Sequence, residues 1–145
     1  MIEDLIKLFG RDLDKLAEEI SLFKGEESLW IVHGDITNSA GNLCLHLVGN
    51  LNTYIGKNLG DSGYIRDREA EFSSKNIPKD ILLAKVKETK ETVIRILRNL
   101  DKRALPEFYK EDVLGHKMTI GYFLIHLLSH LSYHLGQINY LRRIL

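Results

Sequence analysis

The sequence predicts an all-α protein, a four-helix bundle with long interhelical loops. Two observations carry that expectation. Apolar residues recur at alternating steps of four and three in three stretches, near residues 2–24, 78–99 and 119–145, and one apolar face runs through a fourth, near 38–58. Glycine, proline and capping residues then fall at the ends of these stretches. Four amphipathic helices that each need a partner for one face close most simply as a bundle. Loops of a dozen residues or more allow either an up-down-up-down path or a crossover, and the pattern does not choose between them.

The first helix is expected from about residue 2 to 24. Its seam is Ile2, Ile6, Phe9, Leu13, Leu16, Ile20 and Phe23, with charged residues on the other face and Gly25 as a stop. Residues 26–37 read as a loop in which Trp30 plugs one end of the bundle. The second helix starts near Asn38 or Ser39, both good N-caps, and runs to about Asn58. Leu43, Leu47, Leu51 and Tyr54 share its face, and His46 and Asn50 sit at the edge. Gly41, Gly49 and Gly56 predict close packing or a local irregularity. Residues 59–77 show no sustained period and read as a long loop. Its cluster Arg66, Asp67, Arg68, Glu69 and Glu71 is expected to face solvent and pair partly with itself. Pro78 suits the first turn of a third helix, with the seam Leu82, Val86, Thr89, Val93, Ile96 and Leu100. Residues 107–118 form a loop with a short extended pair around Leu114–Gly115. Thr119 then caps the last helix.

That last helix carries the chemistry. Its seam is Ile120, Leu124, Leu127, Leu131, His134, Ile138, Leu141 and Leu145, with a histidine where a leucine belongs. At 100° per residue, His130 lies about 40° from His134 and His126 about 80° away. His130 and His134 therefore point inward together, and His126 is peripheral. A His-x-x-x-His pair on one face is spaced to share a metal ion. The same spacing also describes core histidines satisfied by hydrogen bonds. His46, beside the apolar face of the second helix, is the best third ligand. Three neutral imidazoles with an open fourth position describe a catalytic site rather than a closed structural one. Asn50, Ser129, Tyr133 and Gln137 are candidates to orient the rings. No inward carboxylate is visible to serve as a general base. His33 and His116 read as loop residues, and Cys44 as a small buried hydrophobe.

Composition removes other classes. The chain has 145 residues, the length of one domain (1–145). Twenty basic and twenty acidic residues cancel, which leaves no broad basic field for nucleic acid. No apolar run reaches the length of a membrane span, and none resembles a secretory signal. With a single cysteine, a cytoplasmic setting is expected. There is no Gly-rich phosphate loop, no nucleophile elbow and no zinc-protease register.

Two motifs resemble a known family. SHLSYHLGQINYLRR (129–143) is similar to the closing motif of the DinB-like superfamily, in which His-x-x-x-His is followed by Gly-Gln-Ile or Gly-Gln-Leu. NLCLHLVGNLNTYI (42–55) resembles its second-helix motif with a single histidine. With YIRDREAEF (64–72), the chain looks like one largely uncharacterised bacterial branch. The resemblance implies a DinB/YfiT-type bundle, often a homodimer. It also implies a divalent metal, nickel or zinc with manganese as a further candidate, held by His46, His130 and His134. Relatives include S-transferases that use a low-molecular-weight thiol, a maleylpyruvate isomerase and metal-dependent hydrolases. Tyr133 and Leu135 stand where many relatives carry His and Arg, a departure that leaves the three ligands intact. The expected function is thus a metal-dependent enzyme on a small-molecule substrate, a thiol S-transferase or a hydrolase. A non-catalytic metal- or ligand-binding stress-response protein of the same fold is the alternative.

Overall fold

A computed structural model describes residues 1–145. Four long helices form the bundle. They are α1 (Ile2–Leu22), α2 (Ala40–Leu51, continued by a π-helical stretch Asn52–Lys57 and a last turn Asn58–Gly60), α4 (Lys79–Asn99) and α5 (Ile120–Ile144). A short helix, α3 (Arg68–Ser73), lies between α2 and α4. Two 3₁₀ turns, Glu27–Trp30 and Lys102–Ala104, follow α1 and α4. No strand forms; the only bridge pairs Phe108 with Thr119.

The seams behave as their periods predict. In α1, Ile2, Phe9, Leu13, Leu16 and Ile20 are buried, with Phe23 just beyond; Leu5 replaces Ile6, which is only half-buried. The α4 seam is buried from Leu82 to Ile96, and the α5 seam from Ile120 to Leu141 apart from the half-buried His134, with Leu145 exposed at its end. Together these faces form one continuous apolar core. Ser39 and Thr119 both cap as expected, accepting from the backbone N–H of Asn42 and Tyr122.

The tertiary contacts select the path of the chain. α1 runs antiparallel to α4: Lys90 reaches Asp14 and the Lys79 ammonium reaches the Phe23 carbonyl. α1 and α5 are parallel, with Met1 against Gly121 and Glu19 on Asn139 and Arg142. α2 is antiparallel to α5 through Tyr54–Phe123 and His46–His130, and parallel to α4 through Asn52–Thr89. α1 and α2 therefore stand mainly on one diagonal, with α4 and α5 as the neighbours of both. Parallel neighbours joined in sequence need a return path. Residues 61–78 supply it by running back along the bundle from the end of α2 to the start of α4.

This return segment explains why α2 differs from the other helices. Every residue from Ala40 to Leu51 is buried, because the core covers one side and the return segment the other. The Asn42 amide donates to the carbonyls of Glu71 and Ser74, at 2.9 and 2.8 Å. Gly41 lets the Trp30 ring lie flat on the helix, where a Cβ would approach it to 2.7 Å. Trp30 is thus the end plug that the sequence suggests. The irregularity expected from the glycines is the π-helical stretch, where the Asn52 side chain bonds the Val48 carbonyl.

Three expectations need correction. Residues 59–77 are not a featureless loop: α3 forms there, capped by Asp67, whose carboxylate accepts from the Ala70 N–H. A helix of six residues is too short to display a period. The charged cluster does not face solvent as a whole, since Arg66 and Glu71 turn inward. In the 107–118 loop the extended pairing lies at its flanks, Tyr109 to Met118, and Leu114–Gly115 is the turn between them.

Candidate metal centre

His46 on α2 meets His130 and His134 on α5 at the middle of the bundle. The Nε2 atoms of His46 and His130 are 3.2 Å apart, and those of His134 and His130 are 3.1 Å apart. One ring nitrogen from each lies within 4.8 Å of the other two. The i, i+4 step on α5 places its two rings on one face, and the antiparallel α2 brings His46 against them, with His130 the ring that both others approach. His130 rises edge-on to both neighbours.

The outer nitrogens show how the inner ones are protonated. His46 Nδ1 lies 3.1 Å from Glu71 Oε1, and an ionised carboxylate only accepts, so Nδ1 carries the hydrogen. His134 Nδ1 lies 2.7 Å from Gln137 Oε1 and donates to it. Both Nε2 atoms are then lone pairs aimed at His130. If His130 carries its hydrogen on Nε2, it satisfies one of them and leaves its own Nδ1, which is buried and unpartnered, as an orphan. If the hydrogen is on Nδ1, three lone pairs converge on one point. Either way a cation resolves the conflict. Tetrahedral coordination at about 2.0–2.1 Å puts nitrogens about 3.3 Å apart, close to the two spacings that His130 makes here, with the third pair inside 4.8 Å. The donor set therefore fits a divalent ion with nitrogen preference, and leaves a position open.

Electrostatics agree. Burial holds the His130 pKa down at about 4, reinforced by charge on His134 and His46. Burial also lowers the pKa of His46, against the opposing pull of Glu71. Both rings are thus held neutral, the form that coordinates metals.

Glu71 is the residue that the sequence did not disclose. It is only 5% exposed. Arg66 grips it with two parallel hydrogen bonds of 2.8 and 2.9 Å. Arg66 also lies over the Tyr54 ring. The pair comes from the return segment and reaches the centre because α2 carries glycine at position 49. A Cβ there would overlap the Glu71 carboxylate. Gly49 was the available signal: a helix-weakening residue one turn from His46, kept for the approach of another group. Gly49→Ala should destabilise the fold by about 1–3 kcal/mol through overpacking. Urea unfolding checks this, and a change below about 0.5 kcal/mol would show that the carboxylate can move aside.

Of the other residues singled out, Gln137 orients His134 as expected. Tyr133 is 65% exposed and touches His134 only ring to edge, and Ser129 makes no bond to any of the three rings. Asn50 is buried but bonds none of them; its Oδ1 has no partner. His126 stacks between Phe123 and His130 at the periphery. His33 and His116 are exposed loop residues. Cys44 is fully buried, with its thiol pushed up to about 12, and acts as a hydrophobe.

Comparison with known proteins places the chain. The model of a family described as "Protein of unknown function (DUF1572)" matches residues 3–145. The chain belongs to the DUF1572 family. No curated protein matches this DUF1572 sequence. No helix of it is long and apolar enough to cross a membrane.

Proposed function

We propose that this DUF1572 protein is a metal-dependent enzyme of DinB/YfiT type, with His46, His130 and His134 holding a divalent ion, nickel or zinc foremost and manganese as a further candidate. The observation that carries the reading is the convergence of three Nε2 atoms whose outer nitrogens are already committed or buried. A bound ion would supply Lewis acidity and lower the pKa of a water or thiol in the open position. The protein's own residues prepare that position. Glu71 fixes the His46 tautomer and raises the basicity of its inner nitrogen, and Gln137 does the same for His134. Arg66 holds Glu71 in place through its two hydrogen bonds. A cavity of about 230 Å³, lined by His46, His130, Arg66 and Arg68 among others, opens beside the trio and admits a small molecule. Transfer of a group from that substrate to a low-molecular-weight thiol, or to water, is the chemistry proposed. Homodimerisation and a cytoplasmic setting belong to the same proposal; light scattering reads the former.

Elemental analysis tests the reading on protein purified without a histidine tag or added metal, beside a His46→Ala/His130→Ala/His134→Ala variant. Near-stoichiometric nickel, zinc or manganese in the wild type, lost in the variant, is expected. A wild type that is empty and takes up no added metal would overturn it and leave the histidines as core residues.

A further inference from the structure

The cavity beside the trio has an unusual lining for a protein with no net charge. Its walls include two guanidiniums, Arg66 and Arg68, and three imidazoles, His46, His126 and His130, but no carboxylate. Glu71 neutralises Arg66 from behind. Arg68 is different. It makes no hydrogen bond and no ion pair, although Glu69 is its neighbour in sequence. The His126 imidazole is also without a hydrogen-bond partner. The lining also has an apolar part: Val113 and Leu114 from the loop before α5, and Phe123 and Leu127 from α5 itself. Asn50 lines the same space. It is 8% exposed, and its Oδ1 is buried with no donor to satisfy it.

We infer that this cavity binds a small carboxylate with an apolar body, its carboxylate on Arg68 and its body against Phe123 and Leu127. A free guanidinium presents a fork of donors that matches a carboxylate in two parallel hydrogen bonds. The lack of acidic lining means that no internal group competes for it. A divalent ion on three neutral imidazoles would add positive potential at the inner end, so a neutral or cationic ligand gains nothing there. The cavity's volume, below the usual range for small-molecule sites, limits the ligand to about a dozen heavy atoms. A larger groove of about 740 Å³ approaches the trio from the side of His134, but its lining holds Asp35 and no arginine or lysine. It does not compete for the anion.

This assignment names the substrate class of the proposed enzyme. Its reactive end rests on the metal reading, whereas its carboxylate end rests on Arg68 alone. The test separates them. Benzoate, and benzamide as the uncharged control of the same shape, are titrated by calorimetry into wild type, Arg68→Gln and Arg68→Lys, each with metal content measured. The titration is repeated on chelator-treated wild type. Benzoate is expected to bind the wild type at least tenfold more tightly than benzamide. Arg68→Gln should remove that preference with metal content unchanged, and Arg68→Lys should restore part of it. A preference should survive in the chelated wild type even if no metal was ever present. Equal binding of the two probes, no binding of benzoate, or a benzoate preference untouched by Arg68→Gln would each overturn the assignment. Arg68 is exposed and bonded to nothing, so the variant should melt within about 1 °C of the wild type, consistent with the small effect of surface substitutions.

Discussion

Glu71→Ala will be the most damaging single substitution outside the apolar core. It removes the partner of Arg66, whose side chain is 14% exposed, and the acceptor of His46 Nδ1 at once. Breaking a buried ion pair leaves an uncompensated charge, and about 3 kcal/mol of stability should be lost. Partial access of Arg66 to water keeps the loss at the lower end of the range for buried ion pairs. Metal affinity should fall by about 10- to 100-fold, since His46 loses the group that fixes its tautomer and orientation. Glu71→Gln keeps the shape and one acceptor oxygen, and should recover part of both losses. Urea unfolding and competitive chelator titration read the two effects separately. Wild-type stability and affinity in Glu71→Ala would mean that the contact with His46 does not matter in solution.

Acidification should destabilise the metal-free protein over a defined window. The His130 pKa is held at about 4 in the fold by burial. Unfolded, the ring has an ordinary value near 6.5, so on acidification the unfolded chain takes up its proton first. Stability therefore falls as pH drops from about 6.5 to about 4, and this contribution is flat below, where both states are protonated. The integrated loss from this one ring is at most about 3 kcal/mol, and smaller to the extent that water screens a half-buried imidazole. His46, lowered for the same reason, acts in the same direction. His130→Leu should flatten the profile, because leucine has no proton to gain. Bound metal should shift the loss to lower pH, since protons must then displace the ion. Urea midpoints at pH 7, 5.5 and 4.5, with and without chelator, check both statements. A chelated wild type equally stable at all three pH values would contradict the burial of His130.

The four helices and three histidines are legible in the sequence because their signal is local. A helix turning every 3.6 residues writes its buried face into spacing, so the α1, α4 and α5 seams and the inward pair His130 and His134 follow from position alone. His46 follows from the same argument applied to α2. The Ser39 and Thr119 caps are local as well. The path between helices is not. Whether 59–77 hangs in solvent or runs back over α2 depends on which helices become neighbours, a choice made by the packing of whole faces. Only after that choice does Glu71 meet His46, 25 positions away, in the space that Gly49 leaves. The sequence alone determined the bundle class and the inward-facing histidines. The tertiary structure decided which carboxylate orients them, and which of two arginines remains free, because both depend on contacts between segments that share no period.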